Sequence, residues 1–189
     1  MITIDRDDSM AKKSSRRRKL IEYEESSGAG KKLRNVSLLY FVDDKKKRVL
    51  LAMKKRGFGV GLLNGVGGKQ KEGETIEEAA VREAKEEVGM VPVKYEKAGS
   101  IRFYFDGDKK DLFNQNVTVF IAKRWRGNPV ESEEMSPKWF HINKLPYDKM
   151  WLDDRYWLQK VIEGKKIDAA FLFGGKNYNE IIDLSISFY

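Results

Sequence analysis

The stretch from Gly67 to Met90 constrains this chain more than any other part of it. A glycine-rich run passes there into a helix-forming segment crowded with carboxylates. Thr75, followed three residues later by Glu78, is a capping box, so a helix is predicted to begin at that point. Gly89 follows the last turn, where a left-handed residue favours glycine. Ile76, Ala79, Ala80, Ala84 and Val88 recur at helical spacing and form one apolar stripe of mostly small side chains. Such a helix lies close against a sheet. Glu83, Glu86 and Glu87 fall at i, i+3 and i+4, on one face. Carboxylates so placed repel one another and weaken an isolated helix. They are either a solvated acidic face or a site whose charge a cation neutralises. All-oxygen ligands of high charge suit Mg²⁺ or Mn²⁺, with phosphates completing the coordination shell. Arg82 stands one turn before Glu86 and can grip a carboxylate with two parallel hydrogen bonds. The loop Gly65-Val66-Gly67-Gly68-Lys69 permits close backbone approach to a ligand.

Composition narrows the surroundings. The chain has 189 residues, room for one domain or one domain with a tail. Hydrophobic residues make up 41% and aromatics 12%, which supplies a core and excludes wholesale disorder. There is no cysteine, so disulfides, thiolate metal sites and cysteine nucleophiles are excluded. His141 is the one histidine, which excludes multi-histidine metal sites, and its strand-like setting reads as structural. The net charge of +8 admits nucleic acid, an anionic membrane or a phosphorylated small molecule as partner. No apolar run approaches the ~20 residues of a membrane helix, so no membrane partner is expected.

Residues 1–33 read as a basic flexible tail with a Gly/Ser linker, holding nine bases against six acids. The tail is either a solvated leader or a patch that attracts phosphates. Residues 34–189 read as one α+β domain. Strands are expected at Val36 to Val42, Arg48 to Met53, Ser100 to Phe105, Val117 to Ala122, Lys138 to Ile142, Ala169 to Phe173 and Ile181 to Phe188. Helices are expected over Thr75 to Val88 and Asp153 to Glu163, with glycine-rich Phe58 to Gly68 as a loop. Interleaved strands and helices predict a helix-flanked mixed sheet.

The longer pattern is more specific than a helix face. Gly68, five residues, Glu74, seven residues, then Arg82-Glu83-Ala84-Lys85-Glu86-Glu87-Val88-Gly89-Met90 resembles the signature of the Nudix hydrolases. Seven fixed positions at roughly 7% each leave a chance match on the order of 10⁻⁸. Further likeness to the oxidised-purine triphosphatase branch of that family runs from Val36 onward. It is carried by Met53 to Gly59, Asn64-Gly65, Gly67 to Ile76, Pro129 to Ser132, Glu134-Met135, Met150-Trp151 and Asp153-Asp154. The resemblance implies a Nudix α/β/α sandwich with a mixed β-sheet. It implies metal-dependent hydrolysis of modified purine nucleoside triphosphates, such as 8-oxo-dGTP or 2-hydroxy-dATP, to the monophosphate and pyrophosphate. Mg²⁺, with Mn²⁺ as an alternative, would be held by Glu83, Glu86, Glu87 and the Gly67 carbonyl.

The same resemblance assigns the remaining roles. Glu134 matches a carboxylate near the metals, as base or metal-tuning group, or else belongs to an acidic solvated loop. Lys69 pairs with a phosphate or is an ordinary exposed lysine. Trp151 is a stacking platform, and Asp153 and Asp154 face the purine edge, sharing a proton as adjacent carboxylates can. Without the resemblance they read as a core tryptophan and an acidic helix start. Asn64 brings both donor and acceptor. Phe58 and Phe103 match aromatic pocket walls, and Lys54 and Ser37 match polar positions of the nucleoside site. Phe103 reads equally as a strand core residue. Leu63, Leu152 and Gln115 depart from the family pattern around the base. The expected protein is a monomeric, cytoplasmic nucleotide hydrolase, with a nuclear setting open in a eukaryotic host. Nucleic acid is expected at most through the tail. The alternatives are a Nudix enzyme for another nucleoside diphosphate-linked substrate, or a nucleic-acid-binding module with a vestigial site.

Overall fold

Leu38 to Val42 is apolar at every position, and all five residues are buried. A continuous apolar run of that length is what a strand covered on both faces requires. The computed structural model describes residues 19–25, 33–106 and 113–189. Those residues contain, in chain order, α1 (residues 19–25), β1 (Arg34–Asp43), β2 (Arg48–Lys54), β3 (Leu63–Asn64), α2 (Ile76–Val88), β4 (Val91–Phe105), β5 (Gln115–Arg126), β6 (Met135–His141), α3 (Asp154–Ile162), β7 (Ile167–Gly174) and β8 (Glu180–Phe188).

The sheet is mixed. β1 runs parallel to β5, β5 antiparallel to β4, β4 parallel to β7, and β7 antiparallel to β8. At its far end β1 turns to pair antiparallel with β2, which also holds β3 and β6. Side-chain alternation sends Leu38, Tyr40, Phe103, Phe105, Phe171 and Phe173 to one face, where Trp157 and Leu158 of α3 pack. Leu39, Phe41 and Phe120 go to the other face and meet Ala80, Ala84 and Val88 of α2. Small side chains let α2 lie close, as its stripe predicts. This is the α/β/α sandwich expected from the sequence.

Most expected elements lie where their patterns place them, and the differences have local causes. β4 starts nine residues before Ser100, although Gly99 looks like a break. A Cβ at Gly99 would sit 1.8 Å from the Ile167 carbonyl, so this glycine marks where β7 crosses closely inside a continuing strand. The glycine-rich loop contains β3, and Val66 exchanges two hydrogen bonds with Leu39. Within the stretch read as a flexible tail, residues 19–25 are helical. Leu20 is buried beside Tyr104 and Leu172, its N–H donates to Asp183, and the Tyr23 hydroxyl donates to the Phe105 carbonyl. About two turns with two anchoring side chains are too short for a readable period. The rest of that stretch, residues 1–18 and 26–32, and residues 107–112 lie outside the described residues.

Candidate active site

Two groups of side chains flank the mouth of the fold between β1, the glycine-rich loop and the start of α3. The first is acidic. Thr75 and Glu78 form the expected capping box, and Gly89 closes α2 with φ of 70°. The helix thus starts and stops where it presents Glu83, Glu86 and Glu87 toward the loop. Gly68 lies so near Glu83 that an added Cβ would fall 2.5 Å from its carboxyl carbon. At Gly67 an added Cβ would fall 2.0 Å from the Ser37 carbonyl. The two glycines let the loop slip between β1 and the carboxylates.

Arg82 organises this end. Its guanidinium donates to both oxygens of Glu74 at 3.0 and 2.7 Å, to Glu83 at 2.6 Å, to Glu86 at 3.1 Å and to the Lys69 carbonyl at 3.2 Å. The bidentate partner is therefore Glu74, outside the helix. The Arg82 contacts hold the Glu74 carboxyl well below its usual range, at about 2. Glu87 is only 4% exposed, and one of its oxygens accepts the Gly67 N–H at 2.9 Å. Burial pushes its pKa up to about 7, and the nearby Glu83 and Glu134 charges push the same way.

Glu134 thus faces the acidic group, and its carboxylate is paired with Arg56. Lys54 also acts on Glu87, lowering its pKa, so its charge belongs with the carboxylates as much as with any nucleoside. Ser37 lies on the α2 side of β1, 3.4 Å from the Gly68 carbonyl, rather than among the aromatic residues. The structure does not bring it to the base end. Lys69 is exposed, its backbone bridging to Val36.

The second group is aromatic and half-buried, with Phe58 its most exposed ring. Phe58 stacks on Phe113 at 4.3 Å and lies 5.0 Å from Trp151. Trp151 meets Phe173 edge-on at 6.3 Å, and its indole presses on Gly59, where a Cβ would fall 2.7 Å from the ring. Phe103 stacks on Phe171 and packs beside Phe173, so it is a core wall continuous with this cluster. Gln115 pairs with Phe103 across the β4–β5 ladder. Leu63 is buried in the same core, and Leu152 packs against it.

Asp153 and Asp154 are both buried at the start of α3. Asp153 accepts the Trp157 indole N–H at 2.8 Å, and Asp154 accepts the Trp151 N–H at 3.0 Å. Burial raises both carboxyls, Asp153 to about 6, and the neighbouring Asp153 charge raises Asp154 further. Burial of two adjacent carboxyls disfavours ionising both at once. Asn64 stands across from them. Its Oδ1 accepts the Tyr40 hydroxyl at 3.0 Å and the Gly65 N–H at 2.8 Å.

Sequence reasoning missed Tyr40, Phe105, Phe113, Phe173 and Arg56. Alternating aromatics on β4 and β7 were a usable signal for Phe105 and Phe173. Tyr40 sits inside a uniformly apolar run and gave no sign of a polar partner.

Among the described residues, no three His, Cys, Asp or Glu side chains converge as a ready cation site. The carboxylates instead share Arg82 and the Gly67 N–H. Their chemistry nonetheless fits a divalent cation. Glu87 is buried with one N–H donor beside two further carboxylates, an arrangement that a hard cation with oxygen ligands relieves. Among the described residues, no helix is long and apolar enough to cross a membrane.

Comparison with known proteins agrees with the geometry. The Nudix domain family matches residues 31–161. An oxidized purine nucleoside triphosphate hydrolase of Danio rerio is 46% identical over 128 residues, covering 68% of this chain and 80% of that protein. The protein of the same description from Mus musculus is 46% identical over 126 residues, 67% of this chain and 79% of the other. The crystal structure of a mutator MutT protein from Bacillus halodurans superposes with a TM-score of 0.69 at 23% identity. It covers 82% of this chain and 97% of its own, and at that identity it speaks for the fold alone.

Proposed function

The chain belongs to the Nudix hydrolase family, and from that premise we propose that it hydrolyses modified purine nucleoside triphosphates to the monophosphate and pyrophosphate. The observation that carries this reading is the pairing of the two ends. An Arg82-organised carboxylate helix meets one end of the glycine-rich loop at Gly67 and Gly68, and an aromatic cluster with Trp151 meets the other at Phe58 and Gly59. The identity to proteins described as oxidized purine nucleoside triphosphate hydrolases supports the substrate class.

Glu83, Glu86, Glu87 and the Gly67 carbonyl would hold the divalent cation, Mg²⁺ in the first instance. When bound, it supplies charge neutralisation for the triphosphate and acidifies water at neutral pH. The chain's own residues do the rest. Arg82 tethers Glu83 and Glu86 to one guanidinium, so they would turn from it toward the cation while staying in reach of its charge. Glu134, close enough to act on Glu87, is placed to take a proton from the attacking water, and Arg56 holds it there. Lys69 is exposed and free to approach the phosphates. Trp151 stacks on the base, while Phe58 and Phe103 wall the pocket. A proton shared by Asp153 and Asp154 would let the pair give a donor and an acceptor to one purine edge.

Residues 34–189 constitute the catalytic domain in this reading, and the basic stretch before them is dispensable for chemistry. A steady-state panel of 8-oxo-dGTP, 2-hydroxy-dATP, O6-methyl-dGTP and the four normal nucleotides tests the proposal. The reading requires faster turnover of at least one modified purine. Equal rates on all, or no turnover of any, would end it.

A further inference from the structure

The ladder between β4 and β5 ends at Phe103, opposite Gln115. In a strand the N–H and C=O of one residue point to the same side, and successive residues alternate. Phe105 therefore turns both groups toward β5 just past the point where β5 stops pairing. The Asp106 N–H, on the other side, still reaches the Phe173 carbonyl of β7. Two side chains complete the open end. Asn114 Oδ1 accepts the Phe105 N–H at 2.9 Å, and the Tyr23 hydroxyl donates to the Phe105 carbonyl at 2.7 Å. Asn114 immediately precedes β5, whereas Tyr23 comes from α1, outside the matched Nudix domain of residues 31–161. Contacts of other kinds hold α1 in this place. Leu20 is buried beside Tyr104 and Leu172, its N–H donates to Asp183 of β8 at 3.0 Å, and Glu24 pairs with Arg102 at 3.3 Å. The Tyr23 ring lies edge-on to Tyr104 at 5.6 Å.

The residue so fixed sits at the centre of the aromatic cluster. The Phe105 ring is 5.7 Å from Phe58, 5.9 Å from Phe113, 5.3 Å from Phe173 and 5.0 Å from Tyr178. We infer that Tyr23 is a positioning residue for the aromatic pocket: α1 is a strap that finishes the end of β4 and sets where Phe105 stands among the rings. The inference rests on this cluster being the substrate pocket, as proposed above. A strand end that loses a backbone partner opens more readily, and Phe105 would carry Phe58 and Phe113 with it. The contacts of α1 named above fall on β4, β7 and β8, away from the helix and loop that carry the carboxylate end. The strap therefore acts on how tightly substrate is held and leaves the chemical step alone.

The test is made in the full chain. Tyr23→Phe removes the hydroxyl and keeps the ring. On the modified purine that wild type turns over fastest, KM should rise about fivefold, the worth of one hydrogen bond, with kcat unchanged. Amide hydrogen exchange at Phe105 should quicken by a similar factor with no nucleotide present. Leu20→Ala loosens the same helix through its apolar anchor and should move both readouts the same way. A fall in Tm and apparent kcat with KM unmoved marks a merely stabilising role and overturns the inference. So does Phe105 exchange that neither variant changes; in both cases the hydrolase reading stands. No turnover of any modified purine by wild type overturns both.

Discussion

The two ends of the site are built by opposite means. The carboxylate end is local, polar and partly exposed. Glu74, Arg82, Glu83, Glu86 and Glu87 lie on one loop–helix unit, and a single guanidinium ties four of its groups together. The base end is dispersed, only partly exposed and largely aromatic. Tyr40, Phe58, Asn64, Phe113, Trp151, Asp153 and Phe173 come from strands, loops and a helix far apart in the chain. The first end has carboxylates gathered around one guanidinium. The second has carboxyls that burial pushes toward the neutral form. In the proposed reading the acidic end supplies rate to any triphosphate that reaches it, and the aromatic end decides which one does.

The sharpest way to break that division is to remove the cation. With a chelator present, turnover of modified and normal nucleotides alike should fall by about a thousandfold, and Mg²⁺ should restore it. A residue-level contrast comes next. Trp151→Ala should cost about 10- to 100-fold in kcat/KM on modified purines, the worth of a stacked base, with a smaller effect on kcat. Full activity would move the base elsewhere and favour a different Nudix substrate. Arg82→Lys keeps the charge but loses the fork that grips Glu74, Glu83 and Glu86, and should lower kcat about tenfold on every substrate.

The smallest effect concerns stability. Asp153 and Asp154 are both raised by burial, Asp153 from 3.8 to about 6. The folded state therefore binds more protons than the unfolded chain. The pair's contribution is fullest below pH 3.8 and is lost as the pH rises through about 6. Against the Asp153→Asn, Asp154→Asn double variant, wild type should lose about 4 °C more in Tm between pH 4 and pH 8. An equal loss in both would deny that the aspartates titrate as a buried pair.

The same contrast explains what could be read from the sequence. The carboxylate end was legible residue by residue, because a capping box, a helical stripe and a C-terminal glycine are short-range signals. The base end was legible only through resemblance, because nothing near Trp151 in sequence says that Phe58 and Phe173 flank it. Resemblance gave no sign of the contacts that two of its residues make here. Ser37 sits beneath the glycine loop, and Lys54 acts on Glu87. Tyr40 had no signal of either kind, since its partner Asn64 is set by the fold. Strand interleaving was enough to give the sandwich, yet β4 was read too short because Gly99 serves a close crossing rather than a turn.

Glu87 joins the two ends most closely, being buried like Asp153 and Asp154 and acidic like the helix. Its replacement by glutamine preserves shape and hydrogen bonding while removing the charge. Measured with Mg²⁺ on 8-oxo-dGTP, 2-hydroxy-dATP and their unmodified parents, Glu87→Gln should lower kcat about a hundredfold or more on each nucleotide while leaving the preference among them unchanged. Near-normal turnover would contradict the account, because the carboxylate helix would then not be the seat of catalysis.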